Sequence, residues 1–273
     1  MQYNRLKYIF QMLLLCGSLT LFSCGSKNVS TENSGQTDSS QTQYTASGSL
    51  GFPADSLLQL RVFKTGSYPF EEVPSEINQS WMGLFKGPAG YYTALTGLYA
   101  SQTISQDTNS NSGEPSVFNI YTEVSDSSLL LWEPQHYMKA QAVHAIRLGK
   151  SQIYPGDTLK FVFENLQYQL FATGMRQGSS DGSNTTQVVH YKLYLKAVLN
   201  GRSCISLLVA HTDFDDCMTE ILFAGDIDGD RRLDIILNSS RHYNMERPTL
   251  YLSKPAANDQ VLKPMGCFTS LGC

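Results

Sequence analysis

The chain has no long segment in which apolar residues recur with the 3.6-residue period of a helix, so a helical fold finds no support. It has no basic stripe. Twenty lysines and arginines face 24 aspartates and glutamates, for a net charge of −4, which argues against a nucleic-acid partner and against simple electrostatic attachment to anionic lipid. No G-x-S-x-G elbow, P-loop or dinucleotide-binding glycine pattern occurs, so the commonest hydrolase and nucleotide-binding signatures are missing. His136, His144 and His190 are scattered without H-x-x-x-H spacing, and no cysteines form a C-x-x-C pair, so zinc has no ligand set. No repeat shows the period of a propeller blade or a solenoid.

At the N-terminus, Arg5 and Lys7 precede "YIFQMLLLCGSLTLF", an apolar run of roughly fifteen residues, short for a membrane span. "LFSC" (Leu21 to Cys24) follows and resembles a bacterial lipoprotein signal. That resemblance implies a signal peptide over residues 1–23, lipidation of Cys24, and a membrane partner reached through the N-terminal lipid. Two or three acyl chains give stable anchoring where one is marginal. Gly25 after the cysteine is compatible with outer-membrane sorting under the enterobacterial rule, which points to the envelope of a diderm bacterium. The alternative is an ordinary secretory signal containing a cysteine. Residues 24–48 are nearly all small and polar and read as a disordered tether spanning roughly 25–30 Å.

The rest, about 225 residues, is enough for one large or two small β domains. It reads as all-β and mostly antiparallel: a β-sandwich-like fold or two small β subdomains, not a complete propeller. Strand candidates are "SLLQLRVFKTG", "SVFNIYTEV", "SLLLWEP", "AVHAIRLG" and, last, "PTLYLSK". "WMGLFKGPAGYYTALTGLYAS" reads as a hairpin turning at Lys86 to Gly90. "TLKFVFENLQYQLFATG" is one long strand, or two with a bend near Asn165. "VVHYKLYLKAVLNGRSCISLLVAH" is the clearest hairpin, with Asn200-Gly201 fitting a type I′ turn. Two polar tracts, "SQTISQDTNSNSGEP" and "RQGSSDGSNTTQ", read as loops. The second either divides the chain into β regions 49–175 and 188–273 or is a long loop in one sandwich.

With Cys16 in the signal and Cys24 lipidated, Cys204, Cys217, Cys267 and Cys273 remain. An even number in an exported chain reads as two disulfides. Three connectivities exist, and the local pairing Cys204–Cys217 with Cys267–Cys273 is preferred.

"AGDIDGDRRLDIIL" (Ala224 to Leu237) concentrates four aspartates in a D-x-D-x-D-x-x-x-D pattern: Asp226, Asp228, Asp230 and Asp234. Calcium takes six to eight oxygen ligands, and a tightly coiled loop presents alternate side chains to one centre. Four carboxylates this close would otherwise repel. The pattern is not an EF-hand, because position six is Arg231 instead of glycine and position twelve is Leu237 instead of glutamate. Its flanks, "EILFAG" and "LDIIL", read as strands. This strand–loop–strand pattern resembles the calcium loops of FG-GAP and VCBS-type β-propeller repeats. The resemblance implies a calcium ion held by Asp226, Asp228, Asp230, the Arg232 carbonyl and Asp234. A turn of solvated aspartates and a catalytic metal are the other readings.

Other groupings carry weaker signals. His211 and Asp213 in "HTDFDDC" suggest a metal or acid/base pair, or a polar loop. Arg241, His242 and Tyr243 in "RHYN" suggest ligand contacts or plain structure. Trp81, Trp132, Tyr91, Tyr92 and Tyr99 suggest a sugar-stacking platform or core aromatics. These readings combine as a calcium-stabilised β lipoprotein of the envelope, with a binding or structural role and a glycan or protein ligand. The alternative is an exported glycan or peptide hydrolase with structural calcium, its acid/base group among Glu133, Asp213 and Asp216.

Overall fold

The computed structural model describes residues 51–69, 73, 77–103, 117–178 and 186–271. The signal, Cys24, the tether and Cys273 therefore lie outside the described residues. The strands up to residue 143 are β1 (Val62–Phe63), β2 (Gly66–Tyr68), β3 (Trp81–Gly87), β4 (Gly90–Thr96), β5 (Leu98–Thr103), β6 (Val117–Thr122), β7 (Ser127–Trp132) and β8 (Gln141–Val143). Next come β9 (Thr158–Phe163), β10 (Leu166–Gly178), β11 (Thr186–Leu199) and β12 (Arg202–Asp213). The chain continues through β13 (Glu220–Gly225), β14 (Asp234–Asn238), β15 (Met245–Glu246), β16 (Pro248–Leu252), β17 (Lys263–Cys267) and β18 (Ser270–Leu271). Every pairing between these strands is antiparallel, and among the described residues no sheet closes into a barrel or propeller.

The sheets stack in layers. The sheet β13-β14-β16-β17 lies at the centre. Alternate residues of β14 serve opposite faces. Ile235 and Leu237, with Tyr251 of β16, pack with Leu170, Leu193 and Leu195 of the sheet β9–β12. Ile236, with Leu250 and Leu252 of β16, packs with Leu84, Leu130 and Trp132 of the sheet β1-β7-β3-β4-β8. That second sheet uses its other face, through Phe63, Phe85 and Leu131, to cover Tyr68, Leu98 and Ile120 of the small sheet β2-β6-β5. Burial on both faces explains why "DIIL" and "PTLYL" are continuous apolar runs without alternation.

The turns follow local chemistry. Asn200 (φ 51°) and Gly201 (φ 75°) close β11–β12 with two left-handed residues, as a type I′ hairpin requires. Glu164 (φ 46°) and Asn165 (φ 65°) do the same between β9 and β10, so that segment is two strands. Pro88 and Ala89 turn β3 into β4, with Gly87 paired to Gly90.

Several expectations are corrected. Of "SLLQLRVFKTG" only Val62–Phe63 and the final Gly66, which opens β2, are strand, and its start is taken by the 3-10 turn Asp55–Leu57. "PTLYLSK" is not the last strand, since β17 and β18 follow; Pro264 is tolerated because β17 pairs only with β16. The "RQGSSDGSNTTQ" tract is not a division between β regions 49–175 and 188–273. Strands β10 and β11 on either side of it stay paired out to Gly178 and Thr186, and the described residues from Gly51 onward fall in one compact unit. Cys204 and Cys217 are free thiols. Cys204 sits near the start of β12 and Cys217 beyond its end, and an extended strand rises about 3.3 Å per residue, so the pair is held far apart. The Cys267–Cys273 pairing lies outside the described residues.

Candidate metal centre

The aspartate loop is the connection between β13 and β14, whose pairing ends at Gly225 opposite Asp234. Asp226 knits it together: its Oδ1 accepts the N–H groups of Gly229 (2.8 Å) and Asp230 (3.0 Å), and its Oδ2 accepts that of Arg231 (3.0 Å). Such local bonds are what a short acidic side chain does best in a turn. The coil needs left-handed backbone at Gly229 (φ 76°) and Arg231 (φ 64°). A Cβ at Gly229 would also lie 2.6 Å from the Gln141 amide.

Asp234, fully buried, anchors the loop from below. Its Oδ2 accepts the N–H groups of Ile227 (2.7 Å) and Asp228 (3.0 Å), and its Oδ1 that of Ser253 (2.7 Å). Asp228 is 2% exposed; its Oδ2 accepts the Lys254 N–H at 3.1 Å, while its Oδ1 is buried with no hydrogen-bond partner among the described residues. One oxygen each from Asp226, Asp228 and Asp234 lie within 4.8 Å of one another. Two ligands of a common calcium ion, each at 2.3–2.6 Å, are at most about 5 Å apart, so the cluster has the right size.

The electrostatics point the same way. Burial, more than any other influence, raises the carboxyl of Asp226. Burial first, then the charge of Asp230, pushes Asp228 up to about 7. Burial and the charge of Asp228 hold Asp234 well above the usual carboxylate range. Protonation would lift the repulsion but would leave the Asp228 Oδ1 without a partner. A hard cation meets both demands with the all-oxygen donors that it prefers. Tyr137, whose buried hydroxyl also has no partner among the described residues, is pushed up to about 12 by burial and then by Asp228 and Asp234.

Asp230 departs from its expected role. Its Oδ2 binds the Arg232 guanidinium (Nε at 2.7 Å, Nη2 at 2.5 Å), and its Oδ1 accepts the Arg232 N–H and the Ser253 hydroxyl, both at 2.9 Å. It therefore serves as a brace between the loop and the end of β16, apart from the converging triad. Arg231, at the position where such loops carry glycine, reaches out to Glu164 at 3.4 Å, and Glu164 also holds His144 at 2.5 Å. The hydrogen bond with His144 first, and then that with Arg231, hold the Glu164 carboxyl below its ordinary value. Ser253, Lys254, Tyr137 and Glu164 carried no signal in the sequence, because each reaches the loop only through long-range packing.

The other groupings resolve differently. His211, Asp213, Arg241 and His242 meet in one cleft of about 760 Å³, joined by Asp55 and Arg247. His211 donates Nε2–H to the Ser239 carbonyl at 2.9 Å, and burial lowers its pKa. Asp213 pairs instead with Arg241 at 3.1 Å, and no His211–Asp213 acid/base couple forms. Tyr243 is exposed. Glu133 pairs with Arg61 at 3.2 Å, and neither Glu133 nor Asp216 lines the cleft. Trp81 and Trp132 are 3% and 0% exposed, so the sugar platform is corrected to core. Only Tyr99 of that group is exposed, stacked on Tyr121 with ring centroids 5.4 Å apart.

No protein-family model matches the chain, and no curated protein or solved structure is significantly similar to it.

Proposed function

We propose that this chain is a calcium-stabilised β lipoprotein of the bacterial envelope, with a binding or structural role. The observation that carries the calcium reading is the convergence of Asp226, Asp228 and Asp234 around a buried carboxylate oxygen that nothing else satisfies. Those three side chains hold the ion, with the Arg232 carbonyl completing the loop as its spacing implies. Magnesium suits the set less well, since it keeps its waters and takes few protein carboxylates.

The ion's role in this reading is mechanical. The loop joins β13 to β14, and Asp228 and Asp234 each hold a backbone N–H just beyond β16. A cation that neutralises these carboxylates fastens three strands of the central sheet at one end. Anything bound only by the folded state stabilises it in proportion to occupancy. Catalysis is not part of this reading: the imidazole of His211 is tied to a backbone carbonyl, and the carboxylates of Asp213 and Glu133 are each paired with an arginine. A glycan or protein ligand is the partner proposed.

Attachment to the membrane, and from it an outer-membrane location, rests on Cys24 in "LFSC". Thermal melting tests the calcium reading: the protein melts higher in calcium than in chelator, and equal melting refutes it. Fractionation tests the anchor: Cys24→Ser releases the protein from membranes, and continued tight association refutes lipidation.

A further inference from the structure

A second site lies on the opposite side of β13 from the sheet pairing just described, and it is built from charge of the other sign. Residues 145–151 run beside β13 and are fastened to it at two points. Ala145 bridges Gly225 and the Ile146 N–H reaches the Ala224 carbonyl at 2.9 Å; further along, the Ile221 N–H reaches the Ser151 carbonyl at 2.7 Å. Between these points "RLGK" (Arg147 to Lys150) is not hydrogen-bonded to β13. Strand β13 bulges in the same place: its register against β14 jumps between Ile221 and Phe223, leaving Leu222 over and 37% exposed. The two irregularities frame a cavity of about 520 Å³.

The β3–β4 hairpin closes the cavity. Lys86 and Tyr91 are directly opposed across that hairpin, with the Lys86 ammonium 5.9 Å from the Tyr91 ring centre. Tyr91 meets buried Phe223 edge to face at 4.9 Å, which fixes one apolar wall. Ile146 and Leu148 supply another. Three cations, Lys86, Arg147 and Lys150, line the hollow between these apolar walls, and among the described residues no carboxylate lines it. Lys150 is paired with Asp157 at 3.0 Å, at the margin. Lys86 and Arg147 form no ion pair among the described residues. In a chain of net charge −4, two cations without an ion pair among the described residues, with a third paired only at the margin, make the hollow a local reversal of sign. A concave wall of one sign focuses potential and concentrates counter-charge.

We infer that this cavity binds a small amphipathic anion: a carboxylate, sulfate or phosphate attached to an apolar group. The anionic end meets Arg147, whose planar fork matches two oxygens at once, with Lys86 and Lys150 beside it. The apolar end lies against Tyr91, Leu148 and Leu222. A volume of about 520 Å³ falls within the usual range for small-molecule pockets, about 300–1,000 Å³. The same chemistry is offered by a soluble organic anion and by an anionic lipid headgroup. None of the four loop aspartates lines the cavity.

Ligand-observed NMR titration of the full chain with phenyl phosphate, inorganic phosphate and benzyl alcohol tests the proposal. Phenyl phosphate binds saturably, inorganic phosphate binds at least tenfold more weakly, and benzyl alcohol does not saturate. Lys86→Glu and Arg147→Glu, both at exposed positions, each weaken phenyl phosphate at least tenfold with unchanged melting. Lys192→Glu, an exposed lysine on β11, leaves binding unaltered. Equal binding of the neutral alcohol, or binding indifferent to both reversals, overturns the proposal. Displacement of bound phenyl phosphate by phosphatidylglycerol vesicles but not by phosphatidylcholine vesicles supports the pocket with a lipid headgroup as its ligand. Retention in the presence of both supports the pocket with a soluble ligand.

Discussion

The backbone N–H of Ser253 points at the Oδ1 of Asp234 across 2.7 Å, joining the end of β16 to the first residue of β14. Asp234 thus does two things. It closes the aspartate loop by accepting the N–H groups of Ile227 and Asp228, and it ties that loop to a strand that is its neighbour in the sheet but remote in the chain. The carboxylate proposed as a cation ligand is also the one that joins the strands.

A first prediction concerns Asp228. A carboxylate pushed from its ordinary value up to about 7 carries, when ionised, a penalty on the order of 4 kcal/mol, at about 1.4 kcal/mol per unit. Asp228→Asn removes that penalty and also removes a ligand. In chelator at pH 8 the variant melts higher than the parent; in calcium it melts lower. Paired melting curves check this crossing, and a variant that is less stable under both conditions contradicts the electrostatic account.

The pH dependence follows from the same group. Its folded-state value lies above its unfolded value of about 4. Its favourable contribution is therefore complete below about pH 4 and is lost as pH rises through about 7. Without calcium, the protein loses stability between about pH 4 and 7 through this group and through Asp234, which shifts in the same direction. With saturating calcium this loss disappears, while calcium affinity weakens below pH 7 because the ion must displace protons. Melting against pH with and without chelator measures both effects.

Gly229→Ala should cost about 1–2 kcal/mol, because the loop holds this residue at φ 76° and a Cβ would press on the Gln141 amide. Calcium affinity should fall with it, since the N–H of Gly229 is one of those that orient Asp226. Denaturant melts and calcium titration of the variant give both numbers.

The central sheet makes its own prediction. Ile236 is fully buried against the sheet that carries Leu84 and Trp132, so Ile236→Ala should cost about 2–5 kcal/mol. Val198, 52% exposed on β11, should cost less than about 0.5 kcal/mol when changed to alanine. Chemical denaturation separates the two.

What the sequence made legible was local. The antiparallel strands, the Asn200-Gly201 turn and the β13–loop–β14 arrangement all follow from short-range patterns. What it concealed depends on distance along the chain. "DIIL" reads as a strand, but nothing nearby says that both of its faces are covered. Asp226, Asp228, Asp230 and Asp234 all read as ligands, yet Arg232 and Ser253 draw Asp230 aside. Cys204 and Cys217 look close in number, but the strand that begins at Arg202 separates them. The cluster His211–Asp213–Arg241–His242 came from two unrelated motifs that only folding brought to one cleft.

The most direct test of the central claim is calorimetric titration of the calcium-free protein at pH 7.5 with calcium and, in parallel, with magnesium. The account predicts one calcium per chain, proton release on binding, much weaker magnesium binding, and loss of the calcium signal in Asp234→Asn. No heat of binding with calcium, or an undiminished signal in Asp234→Asn, would contradict it.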